Sequence, residues 1–262
     1  MFSLGPLQIN WYGFFVALAM LVALFITLKI GEKRKIKKEI ILDLFFWVIV
    51  FGVLGARLYD VILELPFYLK NPEQIIKIWE GGLAIHGGII AGLLIIIFFA
   101  KKTKLSFWKL AAISTPGLAL AQAIGRFGNY FNQELFGLPT TLSWGIPIAQ
   151  INRPLEFLNE AYFHPTFIYE SLGSLIIFAI LIFITHKQLK TEKEEKRNFD
   201  ILLVTLYMLS YSILRFSLEF IRIDYSPIIF GLRAPQIISV VMALVAIFII
   251  IKTYVVQKKE RL

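Results

Sequence analysis

The sequence contains no cysteine among its 262 residues and only three histidines. Without cysteine, a cysteine nucleophile, a disulfide and a metal site built from thiolates are all excluded. The histidines, His86, His164 and His186, are dispersed along the chain and do not form a metal-binding motif. The sequence therefore predicts no metal site.

Charged residues are also scarce, at 17%, whereas 58% of the chain is hydrophobic and the mean hydropathy is +0.73. This composition is typical of an integral membrane protein. Apolar runs approach the roughly 20 residues that cross hydrocarbon as a helix, so we predict an all-α fold in a single polytopic domain, 1–262. Its seven transmembrane helices are expected near 11–30, 40–61, 83–100, 109–127, 165–185, 200–221 and 235–252. The first run lacks a basic n-region and a small-residue cleavage site, so we expect it to be retained.

Basic residues alternate between the two ends of these helices. The segments 29–39, 101–109, 186–198 and the tail from Lys252 hold 19 of the 27 lysines and arginines. By the positive-inside rule these segments face the cytoplasm, which predicts an external N-terminus and a cytoplasmic C-terminus. The net charge of +9 is thus a topology signal and does not indicate a nucleic-acid partner.

The predicted external side differs in composition, because six of its eight basic residues are arginines. Arginine at a helix end suits bidentate binding of phosphate. We interpret 62–80 as an external loop or short helix in the membrane interface. The largest external insertion, 128–164, lies between the fourth and fifth helices, and its Gly, Pro and Asn residues predict turns and short strands.

The stretch IGRFGNYFNQELFG, 124–137, is strongly polar for the end of a membrane helix. If the helix continues by one turn, Arg126 and Asn129 share a face. Gly125 and Gly128 would let backbone or a ligand approach, and Glu134 follows in the next turn or loop. The alternative is an arginine that reaches the headgroups beside asparagines that cap the helix. Four polar groups within nine residues favour a binding site.

Two further clusters lie at predicted external helix ends. His86 is flanked by glycine pairs in GGLAIHGG, which we interpret as leaving room for a substrate to lie against the backbone. The residues alone leave a functional and a structural role for His86 equally open. On the sixth predicted helix, one polar stripe recurs at helical spacing and contains Tyr211, Arg215, Glu219 and Arg222. This stripe either lines a polar cavity, which we favour, or holds an Arg215–Glu219 pair that only cancels its own charge.

A fourth, weaker group comprises Trp11-Tyr12-Gly13, GARLYD (55–60), HPTFIYE (164–170) and GLRAPQ (231–236). Tyr12 could be an ordinary interfacial aromatic residue. We expect His164 to be structural and Arg57 to pair with Asp60, one helical turn away. All the clusters fall on the predicted external side, and together they provide the arginines, histidine, tyrosine and amides that an anionic-headgroup pocket requires.

GRFGNYFNQE resembles the signature of the bacterial phosphatidylglycerol–prolipoprotein diacylglyceryl transferases, and WYG, GGLAIHGG, HPTFIYES and RFSLEFIR follow the family's order. The resemblance covers nearly the whole chain. It implies a seven-helix enzyme of the bacterial cytoplasmic membrane with an outward-facing active site. It also implies transfer of a diacylglyceryl group from phosphatidylglycerol to the lipobox cysteine of a prolipoprotein signal peptide, with release of glycerol phosphate and without metal or cofactor. The expected partners are these two substrates and membrane lipids.

The resemblance also implies roles for individual residues. Arg126 and Arg215 correspond to the family's essential arginines, which we assign to the phosphate, and His86 corresponds to a histidine proposed to deprotonate the thiol. Glu134 is assigned to positioning or hydrogen bonding and Asn129 to the headgroup. The remaining expected substrate-binding residues are Tyr12, Gly137, Tyr211, Glu219 and Arg222.

The sequence departs from the family pattern at two positions. Ala112 stands where an aspartate is usual, about fourteen residues before Arg126, and Phe167 stands where many members have glutamine. Some members have tyrosine in place of His86, so the arginines could instead stabilise a thiolate while water takes the proton. The alternative function is a transporter or flippase of an anionic lipid or organic anion, which would need polar residues nearer the middle of the bilayer.

Overall fold

The computed structural model describes residues 2–4, 7–190 and 196–260, with side chains described for 10–189 and 198–255. The long helices of this part of the chain are α1 Trp11–Lys33, α2 Lys38–Leu63, α4 Ile85–Thr103, α5 Phe107–Asn132, α6 Thr166–Lys190, α7 Lys196–Leu218 and α8 Ala234–Glu260. A short helix, α3 Leu65–Lys70, follows α2. Three antiparallel strand pairs complete the fold: β1 Phe2–Leu4 with β2 Leu7–Ile9, β3 Ile146–Pro147 with β4 Tyr162–Phe163, and β5 Ile228–Ile229 with β6 Leu232–Arg233.

Within the described residues, six helices are long and apolar enough to cross a membrane: α1, α2, α4, α6, α7 and α8. The sequence predicts seven such helices. The helix that does not qualify is α5, although it is 26 residues long. Its sequence carries Ser114, Thr115, Gln122, Arg126 and Asn129 among its apolar residues, which lowers its hydropathy. The fold is thus that of an all-helical integral membrane protein with six spans assigned by length and composition.

The chain divides into two compact units, one of residues 1–27 and 112–262 and one of residues 28–111. In the first unit, α1 and α5 approach closely at Gly117, where a Cβ atom would lie 2.7 Å from the carbonyl oxygen of Ala23. Ser171 on α6 donates a hydrogen bond of 2.9 Å to the carbonyl of Ala123 on α5. A core of small and aliphatic side chains lies between these helices and α7; its buried members are Ala112, Ala119, Ile177, Leu181 and Leu203.

The segment between α5 and α6 has a small core of its own, formed by Phe136, Ile148 and Phe163. Its short strands, β3 and β4, agree with the turns and short strands expected there. Gln133 ties this segment to the end of α5, because its Oε1 accepts hydrogen bonds from the Ala149 amide at 2.8 Å and from Asn152 Nδ2 at 3.0 Å. The helix itself continues to Asn132, beyond the predicted end at 127.

In the second unit, α2 packs against α4 through facing glycines. A Cβ atom on Gly55 would lie 2.7 Å from the Gly87 carbonyl oxygen and 2.5 Å from Ala91 Cβ, and one on Gly88 would lie 3.2 Å from the Gly52 carbonyl oxygen. The glycines after His86 therefore serve helix packing. Our interpretation that they leave room for substrate is wrong for Gly87 and Gly88.

Arg57 on α2 is buried and organises the loop that precedes α4. Its guanidinium donates to the carbonyl oxygens of Gln74, Ile75, Gly81 and Gly82. The expected pair with Asp60 is present at 3.8 Å between Nη1 and Oδ2. Tyr68 donates a hydrogen bond of 2.7 Å to Asp60, and this bond, followed by burial, raises the pKa of the Tyr68 phenol above its ordinary value. The segment 62–80 is accordingly a set of short helical turns, as expected.

Helix α7 ends at Leu218, whereas the sequence predicts a helix to 221. The Leu138 amide donates a 2.8 Å hydrogen bond to the Ile221 carbonyl, and Arg222 forms an antiparallel bridge with Gly137. These contacts tie residues 221 and 222 to the segment 137–138, which prevents another helical turn. Glu219 and Arg222 thus lie beyond the end of the helix that carries Tyr211 and Arg215.

Candidate active site

The last two turns of α5 place Arg126 and Asn129 on one face, as the spacing predicts. Arg126 Nη1 lies 3.4 Å from Asn129 Oδ1, and Asn129 Nδ2 donates to Glu134 Oε1 at 2.8 Å. The chain reverses after the helix because Gln133 and Leu135 adopt positive φ angles of 51° and 55°. The Glu134 amide then bonds back to the Asn129 carbonyl at 3.0 Å. The three predicted residues therefore form one hydrogen-bonded chain.

Glu170 on α6 binds a second guanidinium nitrogen of Arg126, Nη2. This carboxylate is 1% exposed, and its Oε1 accepts from Arg126 Nη2 and, at 3.0 Å, from the Tyr211 hydroxyl. Its Oε2 lies 3.5 Å from Arg222 Nη1. A buried carboxylate is costly unless it is paired, and here Glu170 joins residues from α5, α7 and the segment after α7.

Glu219 lies at ion-pair distance from Arg215 and Arg233. Its Oε2 lies 2.8 Å from Arg215 Nη1, and its Oε1 lies 3.1 Å from Arg233 Nε. The Arg215–Glu219 contact is an ion pair without hydrogen-bond alignment, since neither group's buried atoms find a hydrogen-bond partner within the described residues. Arg222 Nε donates to Asp224 at 2.8 Å and lies 3.9 Å from Glu219 Oε2.

These contacts form a continuous network, which we call the arginine cluster: Arg126, Arg215, Arg222 and Arg233 with Glu170 and Glu219. With Asp224 included, the four guanidinium groups are in contact with three carboxylates, and a fourth carboxylate, Glu134, is linked to Arg126 through Asn129. The side chains of Arg126 and Arg215 are 21% and 18% exposed, whereas that of Arg222 is 4% exposed. Four arginines therefore lie together in the first unit, and the side chains of three of them, Arg126, Arg215 and Arg233, keep a solvent-accessible part.

Tyr12 and Gly137 border the same region of the first unit. Tyr12 covers Gly128, where a Cβ atom would lie 2.9 Å from Tyr12 Cδ2, whereas a Cβ atom on Gly125 would meet open space. Gly137 is buried, and a Cβ atom there would lie 2.6 Å from the Ile221 carbonyl oxygen. Glycine at 137 therefore has a packing reason, because the bridge to Arg222 leaves no room for a side chain.

His86 belongs to the second compact unit, at the start of α4, whereas the arginine cluster belongs to the first unit. Its side chain is exposed, and its ring centroid is 6.1 Å from that of Tyr59. His164, by contrast, contacts the Tyr169 hydroxyl through Nδ1 at 3.2 Å, and Trp144 Nε1 donates to the same hydroxyl at 2.8 Å. This arrangement agrees with the structural role expected for His164.

The two residues that depart from the family pattern, Ala112 and Phe167, are both buried. Ala112 is 0% exposed and belongs to the apolar core beside Leu181, so a carboxylate there would be buried among aliphatic side chains. Phe167 is also buried, with its ring centroid 5.4 Å from that of Tyr130.

Sequence reasoning missed two members of the cluster, Glu170 and Arg233. Both lie in motifs singled out in the sequence, HPTFIYE and GLRAPQ. However, Glu170 contacts Arg126, which is 44 residues away, and Arg233 contacts Glu219, which is 14 residues away. The available signal was Glu170 itself, an acidic residue four positions into an apolar helix. In the described part of the chain, no three His, Asp or Glu side chains are grouped so as to hold a metal ion.

Comparison with known proteins gives one consistent result. The family profile described as prolipoprotein diacylglyceryl transferase matches residues 1–252. The chain is 40% identical over 258 residues to a phosphatidylglycerol–prolipoprotein diacylglyceryl transferase of Synechocystis sp., covering 98% of this chain and 90% of that protein. It is 39% identical over 237 residues to the protein of the same name from Nostoc sp., covering 90% and 82% of the two chains. With the arginine cluster in place at the family signature, we conclude that this chain belongs to the prolipoprotein diacylglyceryl transferase family.

Proposed function

We propose that the protein is a transferase that moves the diacylglyceryl group of phosphatidylglycerol to the thiol of the lipobox cysteine in a prolipoprotein. The observation that carries this proposal is the 40% identity to a relative of that name over 98% of the chain. A transporter or flippase is not favoured, because the relatives are named as transferases. The cysteine-free sequence also fits, since the sulfur that reacts belongs to the substrate.

At the glycerol carbon, the reaction forms one bond and breaks one. The sulfur attacks the glycerol carbon of the diacylglyceryl group and forms a carbon–sulfur bond, while the bond from that carbon to the phosphate oxygen breaks. The electron pair stays on this oxygen, so the phosphate passes from one negative charge to two as glycerol phosphate departs. The thiol proton goes to a base. Fixed cationic groups that face the departing oxygens stabilise this transition state more than the ground state.

Arg126 and Arg215 are our candidates for that task. Both are partly exposed, and they come from different helices, α5 and α7. Arg222 is almost fully buried against Glu170 and Asp224. Its proposed role in substrate binding is therefore indirect: it supports the residues that contact the phosphate. The other proposed substrate-binding residues are Tyr12, Asn129, Gly137, Tyr211 and Glu219, with Glu134 holding Asn129.

His86 is the proposed proton acceptor. A free thiol has a pKa of about 8.5 and is mostly protonated at neutral pH, so a base raises the thiolate fraction. A neutral imidazole can take this proton. The exposure of the His86 side chain supports the assignment, because an incoming peptide can reach it.

The proposed topology has seven spans, with the N-terminus external and the C-terminus cytoplasmic, in the bacterial inner membrane. The seventh span is α5: its 26 residues correspond to about 39 Å of helix, against about 30 Å of hydrocarbon. Its polar residues are tolerable because they meet partners on other helices, as Gln122 does by accepting a 2.9 Å hydrogen bond from Tyr207. Lysine-rich segments on alternate ends support this orientation, and it places Arg126 and the 128–164 insertion outside.

The function is tested with purified protein, vesicles of phosphatidylglycerol and a synthetic lipobox peptide. We expect mass spectrometry to find the diacylglyceryl group on the peptide cysteine, together with one glycerol phosphate released per modified peptide. A peptide with serine in place of cysteine is the matched control and should stay unmodified. Lipid movement across the vesicle without modification of the cysteine peptide would support the transporter instead.

A further inference from the structure

Glu170 holds two of the four arginines from different directions. Its Oε1 accepts from Arg126 and from the Tyr211 hydroxyl, and its Oε2 faces Arg222 Nη1 at 3.5 Å. A carboxylate that meets donors at both oxygens fixes each donor group in direction as well as in position. At 1% exposure, water cannot substitute for these contacts.

The two arginines depend on Glu170 to different degrees. Arg222 has further carboxylate neighbours, with Asp224 at 2.8 Å and Glu219 at 3.9 Å. Among the described residues, the carboxylate at ion-pair distance from Arg126 is Glu170, and its other side-chain neighbours are neutral groups, the amide of Asn129 and the hydroxyl of Tyr211. Loss of the Glu170 charge would therefore release Arg126 and leave Arg222 held.

We propose that Glu170 is the positioning residue of the arginine cluster: it aims the guanidinium of Arg126, whose side chain is partly exposed, at the phosphate while Arg222 stays buried. The inference rests on the proposed function, because it presumes that Arg126 meets the phosphate of the lipid. Glu170 itself does not bind the lipid, since its two oxygens are already occupied by cluster donors.

Two substitutions test the charge and the length of the Glu170 side chain separately. Glu170→Gln keeps the length, but its Nε2 is a donor and would face the donors of one arginine, so one contact is lost. Glu170→Asp keeps the charge but is one methylene shorter and cannot meet both arginines. Misalignment of a catalytic group by about 1 Å costs on the order of a hundredfold in rate, so we expect kcat to fall at least about tenfold in both variants.

Binding of glycerol phosphate should respond in the opposite direction to turnover. Glu170→Gln removes a negative charge beside the phosphate site, so the product should bind about three- to tenfold more tightly in this variant. Glu170→Asp should leave product binding within about twofold of the parent, because the charge is kept. A purely structural role would instead lower turnover and product binding together, in proportion to the folded fraction.

Ser171→Ala is the matched control. Ser171 is the adjacent buried residue on α6 and ties the same two helices, α5 and α6, through its hydrogen bond, which goes to the Ala123 carbonyl and not to a member of the arginine cluster. We expect its turnover and product binding to stay within about twofold of the parent. The folded fraction of each variant is measured by size-exclusion chromatography and thermal melting in detergent.

The experiment measures peptide lipidation and glycerol 1-phosphate binding by titration calorimetry for the parent and the three variants. Reduced kcat with tighter product binding in Glu170→Gln, and reduced kcat alone in Glu170→Asp, supports the positioning role. Parent-like turnover in either Glu170 variant, or parallel losses in both measurements, overturns it. Failure of the parent protein to lipidate the peptide would refute the proposed function instead, and product binding remains measurable without turnover.

Discussion

At the scale of single residues, exposure divides the arginines into those that can meet a ligand and one that supports them. The side chains of Arg126, Arg215 and Arg233 are partly exposed, whereas Arg222 is enclosed by Glu170, Glu219 and Asp224. Preorganised cations of this kind contribute to catalysis because they need no reorientation when charge develops. The account therefore makes its sharpest mutational predictions at Arg126 and Arg215.

Replacing Arg126 or Arg215 by alanine should lower kcat/KM for peptide lipidation by about 10²- to 10³-fold, the usual cost of losing one electrostatic donor of a transition state. The protein should still insert into the membrane, which is checked by its yield in the membrane fraction. Lys70→Ala is the matched control, because it also removes an exposed positive charge, and it should retain parent-like activity. Parent-like turnover in either arginine variant would refute the phosphate assignment.

Replacing His86 by alanine tests the proton acceptor through the pH dependence of the rate. If His86 is the base, the parent rate falls in acid, where imidazole side chains take up a proton, and this limb is missing from the variant. The measurement is kcat/KM for the lipobox peptide between pH 5 and pH 9. Superimposable profiles for parent and variant would show that His86 does not accept the proton.

Short-range contacts within the site could be predicted from the sequence, and long-range contacts could not. The spacing of Arg126 and Asn129, and of Arg215 and Glu219, places each pair on one helical face, and both contacts are present. Glu170 meets Arg126 and Arg222 across 44 and 52 residues. Such contacts depend on how the helices pack, which no spacing rule specifies.

At the scale of elements, the glycines of α2 and α4 set how closely these helices approach. Gly52 and Gly55 face Gly88 and Gly87, so backbone meets backbone without intervening side chains. Small residues are the usual means of close helix packing in membranes. The sequence suggested that the glycines around His86 serve a substrate, because a glycine pair looks the same whether a ligand or another helix approaches it.

Adding one methyl group at this interface should destabilise the protein. Gly55→Ala places a Cβ atom 2.5 Å from Ala91 Cβ and 2.7 Å from the Gly87 carbonyl oxygen, so the helices must move apart, at a cost of about 1–3 kcal/mol. Gly13→Ala on α1 is the matched control, because its Cβ would meet no atom of the described residues within 4 Å and alanine favours helix by about 1 kcal/mol. In detergent, Gly55→Ala should melt below the parent and Gly13→Ala at or above it. Equal melting temperatures for the two variants would contradict this packing.

At the scale of the whole molecule, hydropathy predicts an all-helical membrane protein but does not by itself give the number of spans. Six helices satisfy length and hydropathy, and α5 does not, since a helix that carries site residues such as Arg126 and Asn129 loses apolar character. Local sequence also failed to locate the end of α7, because the bridge between Gly137 and Arg222 joins residues 85 positions apart.

The absence of native cysteine makes the proposed topology directly testable. Single cysteines introduced as Lys35→Cys, between α1 and α2, and Glu156→Cys, between α5 and α6, lie at exposed positions. In intact cells, a membrane-impermeant maleimide should label Glu156→Cys only, because Lys35 belongs to a lysine-rich segment that faces the cytoplasm. The Lys35→Cys variant should react once the membrane is permeabilised. Labelling of both variants in intact cells, or of Lys35→Cys alone, would contradict the seven-span orientation.

The most direct test of the account is an experimental structure with phosphatidylglycerol bound. We predict that the lipid phosphate lies within hydrogen-bond distance, about 2.7–3.2 Å, of guanidinium nitrogens of both Arg126 and Arg215. Arg222 should remain buried against Glu170 and Asp224 in that complex. A phosphate bound elsewhere, out of hydrogen-bond reach of Arg126 and Arg215, would contradict the central claim that these two arginines receive the departing glycerol phosphate.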